Sequence, residues 1–450
     1  MVINMKKAVL IIPLLILPLI LVSCVTSSST GEAIKQDEVT SLLRDGYYQD
    51  ASTAIHSAEE GYADGVIYGL DNGMVAFYSG DYREANAAFS IAERVIEENH
   101  TKRISKGAES LIVNDNVRDY EGELYEDVCT NIFNALSYYK LDDIEGAMVE
   151  VRRANIKLQD FGLNIKEQEE ELSGLLKAFE GNPFADFPQI NHTTSFHFSG
   201  LATYLSMLFY NIDGDPDNAS VDMRLLADSG FSNIVSEEDV EIPNGKGRIN
   251  FVSLCGLIAP KHEESTQSVN VLFPIPHKIA WPMIYKGEGS AVSSVSVRIS
   301  GVDSIQLGVV ENFTQDAVDS LHMTLKSTFM RSYYRGLTKM TAASAGAYAA
   351  NKGIEKGANK IGGVLGAVVN GGGKSALYAA LKAVNASEIA DTRMCHYIPD
   401  CAYAGGLTLD PGTYQVDYIY HMKNGSTVTR SEEVTVFAGK NVVSISSCLK

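Results

Sequence analysis

The sequence predicts an α+β chain of several domains, with an all-α array of paired helices ahead of a β-rich domain that carries a helical insertion. Three observations predict it. Residues recur at a fixed offset of 34 in the first half, the texture turns to short β-rich runs from about Val240, and a Gly/Ala-rich stretch divides those runs into two groups. The chain has 450 residues, 45% hydrophobic and 21% charged, which gives ample core and excludes a disordered or collagen-like polymer.

At the N-terminus, Lys6 and Lys7 precede an apolar run from Ala8 to Val22, broken only by Pro13 and Pro18. That is a basic flank and an apolar core of signal-peptide length, too short for a spanning helix. The run ends in Leu21-Val22-Ser23-Cys24, which resembles a bacterial lipobox. Residues 1–23 are therefore expected to be a lipoprotein signal peptide, with Cys24 acylated as the first mature residue. Several acyl chains, at about 0.8 kcal/mol per buried methylene, anchor a protein stably. Val25 in place of an Asp after the cysteine points to the outer membrane, periplasmic side. Residues 24–36 are small and polar, as suits a tether. Processing leaves 427 residues with 35 basic and 56 acidic side chains, so the net charge moves from −19 to −21. Neutralising phosphates needs a clustered basic surface, so nucleic acid is excluded as a partner.

Next come the repeats. Gly46, Tyr48, Ala51, Ile55 and Ala58 recur as Gly80, Tyr82, Ala85, Phe89 and Ala92, each 34 residues on. That is the tetratricopeptide period. Gly73 and Ala85 are small enough for two antiparallel helices to pack closely, Gly80 permits the turn, and Tyr82 and Phe89 fill the gap to the next pair. A third unit, NALSYYKLDDIEGAMVEVRRAN, places Ala135, Asp142, Ala147, Val151 and Ala154 equivalently, and a weaker fourth has Tyr210, Gly214, Ala219 and Met223. Residues 37–230 thus read as a TPR-like all-α solenoid whose groove would bind a protein partner. Arg152 and Arg153 beside Glu150 read as an ion-pair face or a clamp on the preceding insertion.

From Val240 onward, RINFVSLCGLIAP, SVNVLFPIP and SVSVRISGVDSIQLGVV alternate or run apolar between Gly, Pro and Asn. After the insertion, strands are expected near Thr413–His421, Val428–Val436 and Asn441–Ser447, with Asn424-Gly425 as a hairpin turn. Regions 240–312 and 403–450 together read as a small β-sandwich-like domain. Trp281 is expected as a core or inter-domain anchor. The insertion, 313–390, opens with a helix whose Val318, Leu321, Leu325 and Phe329 form one stripe. Residues 336–383 hold ten Gly, twelve Ala and six Lys against one acid, a net +5 inside an acidic chain. Arg331, Arg335 and Lys339, then Lys352, Lys356 and Lys360, each recur every fourth position as a candidate basic contact face for a membrane surface or partner. Small residues at Ala345, Ala349, Gly353 and Gly357 allow close helix approach, the alternative role for this segment.

Several chemistries are excluded by spacing. NGGGKS lacks the first glycine of a phosphate-binding loop, since Val368 stands there. His192 and His197 have no HExxH spacing, and no cysteine shows zinc-ligand spacing, so neither metal nor cofactor is expected. Five cysteines remain after Cys24, and the nearest pair, Cys395 and Cys401, is the candidate disulfide.

Taken together, YEDVCTNIFNALSYYKLDDIEGAMVEVRRAN, Asn182-Pro183 with the Tyr204–Tyr210 helix, Gly256-Leu-Ile-Ala-Pro260 and Ala390-Asp391-Thr392-Arg393 are similar to a family of tetratricopeptide-bearing bacterial envelope lipoproteins. Cys395 and His396 stand where that family tends to place an aromatic. The resemblance implies a non-enzymatic outer-membrane scaffold in assembly or maintenance of an envelope complex, with other envelope proteins as partners. Asp391 and Arg393 are expected to form an ion pair at the junction of insertion and β-domain. The alternatives are an envelope hydrolase or peptidoglycan-modifying enzyme, and a homo-oligomeric subunit of a membrane-associated assembly.

Overall fold

The structure is a computed structural model, and it describes residues 29–58, 62, 65–106, 118–171, 198–268, 276–287, 289–302, 304–354 and 373–450. Cys24 and the signal segment, His192 and His197, the phosphate-loop lookalike up to Gly372, and Lys356 and Lys360 lie outside those residues, as does the side chain of Lys352.

Among the described residues, eight helices come first: α1 (Ser29–Asp45), α2 (Tyr48–Ala58), α3 (Gly65–Ser79), α4 (Tyr82–Lys106), α5 (Leu124–Lys140), α6 (Ile144–Glu171), α7 (Gly200–Asp213) and α8 (Pro216–Leu226). Each packs on the next, so they form a helical array of four hairpins. One turn builds all four. Gly46, Gly80, Asp142 and Gly214 have φ of +82°, +84°, +61° and +88°, the left-handed conformation that ends a helix without blocking the chain. The same two backbone bonds close each turn; at the second, Gly80 N donates to Phe77 O (3.1 Å) and Asp81 N to Ala76 O (2.9 Å). In the last three hairpins an aspartate follows and caps the second helix: Asp81 accepts from Glu84 N, Asp143 from Gly146 N and Asp215 from Asn218 N. Helix contact is close where small residues allow it. A Cβ on Gly73 would lie 2.5 Å from the ring of Phe89.

Among the described residues, the second half holds ten strands: β1 (Gly247–Cys255), β2 (Lys261–Ser268), β3 (His277–Ile284), β4 (Val292–Ile299), β5 (Ile305–Gln306), β6 (Gly308–Asn312), β7 (Cys401–Leu409), β8 (Gly412–Met422), β9 (Thr427–Val436) and β10 (Asn441–Cys448). They form a sheet ordered β10-β1-β7-β6, a second ordered β5-β4-β8-β9, and the β2-β3 hairpin. Both four-stranded sheets mix strands from before and after the insertion. The β1-β10 pair is parallel, so the chain's last strand lies beside the first strand of this half.

All nine residues of β1 are buried because its sheet is covered on both sides. Ile249, Phe251 and Cys255 join the apolar layer shared with the other four-stranded sheet, through Val295, Val297, Tyr418 and Tyr420. Val252 and Leu254 point the other way, into one continuous cluster with Phe77, Phe133, Leu205 and Phe209 of the helical array. The first helices of the hairpins, α3, α5 and α7, are consequently buried along most of their length.

The insertion contributes α9 (Phe313–Ile354), about 63 Å long by its 42 residues, and α10 (Gly373–Ser387). Phe313, Ala317 and Leu321 pack into the helical-array cluster, and Phe329, Met330 and Tyr333 then cover Ile279 and Trp281 of β3. Met340 meets Leu377 and Leu381 of α10. Among the described residues no helix is long and apolar enough to cross a membrane.

Candidate functional site

Where the end of α4, the segment Arg118–Leu124, the middle of α9, β3 and the segment Ala390–Arg393 come together, they leave a cleft of about 290 Å³. Its walls are built on charge pairs. Arg393 grips Asp391 with two parallel bonds, Nε to Oδ1 at 2.9 Å and Nη2 to Oδ2 at 2.8 Å. The same guanidinium donates through Nη1 to the carbonyl of Arg118 (2.9 Å) and lies 5.0 Å above the ring of Tyr120. The expected Asp391–Arg393 pair therefore ties the end of the insertion to the helical array.

Behind this wall sits Glu126, wholly buried. It accepts from Tyr120 Oη (2.7 Å), from the backbone N of Glu123 (2.7 Å) and from the backbone N of Cys395 (2.5 Å). Glu123 and Glu126 form the reciprocal capping box that starts α5, so the first turn of this helix positions the carboxylate. Burial pushes the Glu126 carboxyl upward, against the pull of the Lys261 ammonium. Lys261, itself buried, bonds Glu123 and the carbonyl of Arg393. On the opposite wall, Arg335 is 2% exposed and pairs with Glu388, 1% exposed, to which Lys339 (3.3 Å) and Ser332 (3.0 Å) also donate.

At Arg335 and Lys339 this differs from the basic face expected on α9. Arg335 turns inward to Glu388 and Lys339 follows it, because a carboxylate from the end of the insertion is buried there; Arg331 lines the cleft. Of the residues read as repeat packing, Ala51, Ala85, Phe89, Ala92, Ala147 and Ala154 are buried, and Gly46 and Gly80 make turns. Tyr82 packs against the core partly exposed, while Tyr48 reaches beyond its repeat to donate to the carbonyl of Ser447 on β10 (2.9 Å). Arg153 belongs to a network with Glu93, Glu97 and Glu150, and Arg152 lies over Tyr210. Trp281 rests on Phe329, ring centres 5.4 Å apart.

Cys395 and Cys401 are separate thiols. The first packs with the helical array and the second lies between the two four-stranded sheets, so the sheet stands between them.

Two polar clusters escaped sequence reasoning because their members are far apart in the chain. Asp71, fully buried, accepts from His396 at the backbone N (2.7 Å) and at Nδ1 (2.7 Å), and from Tyr62 Oη (3.0 Å). With Cys395 beside it this has the residue types of a nucleophile, a base and an acid. Yet burial, with Asp71 and Glu126 adding to it, holds the Cys395 thiol well above its ordinary range, the reverse of an activated cysteine. In the second, Glu311 accepts from Ser199 Oγ (2.5 Å) and Leu201 N (2.9 Å) at the start of α7. Burial raises the carboxyls of Glu311 and of its neighbour Asp316, and the Glu311 charge raises Asp316 further. The only signal for any of these acids is a charge at a core-facing position of an otherwise apolar helix or strand.

No protein-family model, curated protein or solved structure matches the chain.

Proposed function

We propose that the chain is a lipid-anchored scaffold of the bacterial cell envelope. Acylated Cys24 holds it at the outer membrane on the periplasmic side, and a TPR-like solenoid supports a β-sandwich. Protein partners are received where these two meet. The observation that supports this most is the cleft of about 290 Å³, whose walls carry both guanidinium and carboxylate groups from three parts of the chain. Such walls suit a peptide segment carrying both signs of charge, since each of its charges finds an opposite one. The sequence alone placed the partner in the solenoid groove. Of the first helices of the hairpins, α3, α5 and α7 are buried in one cluster with the chain's own sheet, so the contact moves to the cleft.

The test is crosslinking and pulldown from membranes with the lipidated protein, beside Cys24→Ala and a cleft-filling Thr328→Trp variant. A partner enriched over Cys24→Ala and lost in Thr328→Trp is expected. No partner above the unlipidated control would count against a scaffold, and a partner retained by Thr328→Trp would place the contact elsewhere.

A further inference from the structure

In the sheet ordered β10-β1-β7-β6, Cys255 of β1 is registered opposite Cys448 on β10 and opposite Cys401 on β7. Three thiols thus stand side by side across three strands, all buried in the layer between the two four-stranded sheets. Opposed residues on antiparallel neighbours have Cα atoms about 4.5–5.5 Å apart, inside the range of about 4.4–6.8 Å that a disulfide spans. The Cys401 thiol donates to the carbonyl oxygen of Cys255 (3.9 Å). Cys448 sits on the parallel side. Cys395 is on the other side of the sheet.

We propose that Cys255 and Cys401 form a cross-strand disulfide when the protein folds in an oxidising compartment. The setting rests on the envelope reading above; the pairing rests on strand register alone. Forming the S–S bond removes two electrons and two protons from the thiols. The acceptor is the disulfide of a thiol oxidase, or glutathione disulfide in vitro, which is reduced to two thiols. Attack requires a thiolate, and burial holds the Cys255 thiol well above its ordinary range in the folded state. The bond therefore forms before the two sheets close over it. It would tie β1 to β7 and close a loop over residues 256–400, which carries the β2-β3 hairpin, α9 and α10.

The experiment has two arms. The full chain is exported in a Gram-negative host, alkylated on lysis without reduction, and mapped by mass spectrometry; the same chain is refolded from denaturant in a glutathione redox buffer. The expected product in both is a peptide pair joining Cys255 and Cys401, with Cys129, Cys395 and Cys448 alkylated. Cys401→Ser should leave Cys255 alkylated, and Cys395→Ser should keep the bond. A bond in the refolded sample alone supports the pairing and counts against the envelope reading. Cys255 and Cys401 both alkylated after refolding, or Cys255 joined to Cys448 or Cys395, overturns the proposal.

Discussion

Arg335 and Glu388 illustrate what a single residue costs here once its partner is gone. Both are buried, and Glu388 also gathers Ser332 and Lys339. Removing the guanidinium leaves the buried carboxylate with Lys339 and Ser332 alone, which costs up to about 3–5 kcal/mol, whereas replacing both by apolar groups costs far less. Arg335→Ala should therefore lower the urea unfolding free energy by about that amount, and Arg335→Leu with Glu388→Leu should recover most of it. Additive losses in the double variant would refute the argument. Glu311 makes a second residue-scale case. Burial raises its carboxyl and that of Asp316, so the folded chain holds a proton that the unfolded chain releases near its ordinary value of about 4. Stability is then full below that value and falls as pH rises toward the raised ones. The urea midpoint followed against pH should decline above about pH 4, and Glu311→Gln should flatten the decline; superimposable profiles would show that this pair is not the source. Glu93 works in the opposite sense. Although burial pushes its carboxyl up, Lys157, Asn131 and Arg153 bring it below the usual range, so its contribution is lost as pH falls.

At the scale of elements, the four helical hairpins share one left-handed turn, and three of the four fill it with glycine. Asp142 is the exception, at φ +61°. A side chain there costs about 1–2 kcal/mol, and the greater freedom of glycine in the unfolded chain returns about half. Asp142→Gly is accordingly expected to stabilise by about 0.5 kcal/mol, and Gly80→Ala, with open space around its Cβ, to destabilise by about 1 kcal/mol, both read by denaturant titration. A turn without φ preference would leave both unchanged. These turns were legible in the sequence because Gly46, Gly80, Asp142 and Gly214 are fixed by local backbone geometry. The stripe Val318–Phe329 and the strands β8, β9 and β10 were legible for the same reason, since periodicity and Asn424-Gly425 are local signals. What faces what was not. The pairing of β1 with β10, the inward turn of Arg335, and the meeting of Asp71 with His396 each join residues far apart in the chain, and nothing in a single sequence marks such partners.

For the whole molecule, the governing fact is that one apolar cluster runs from Val39 of α1 through α3, α5 and α7 to β1, β7 and Leu449. A helical array folding on its own would leave that face exposed to water at about 25 cal/mol per Å² of apolar surface, so the array and the sheet should form and unfold together. Trp281 provides the reporter, being the only tryptophan of the chain and lying on β3 against Phe329 of α9, away from the helical array. Far-UV circular dichroism is dominated by the eight helices of the first half. If the shared core makes one cooperative unit, helix loss at 222 nm and Trp281 fluorescence should give the same urea midpoint and the same slope. Two separated midpoints would mean that the β3–α9 layer melts independently, and that the cleft between it and the array opens before the fold is lost. A single midpoint would mean that the cleft is as stable as the protein, which is what a fixed docking site for a partner requires.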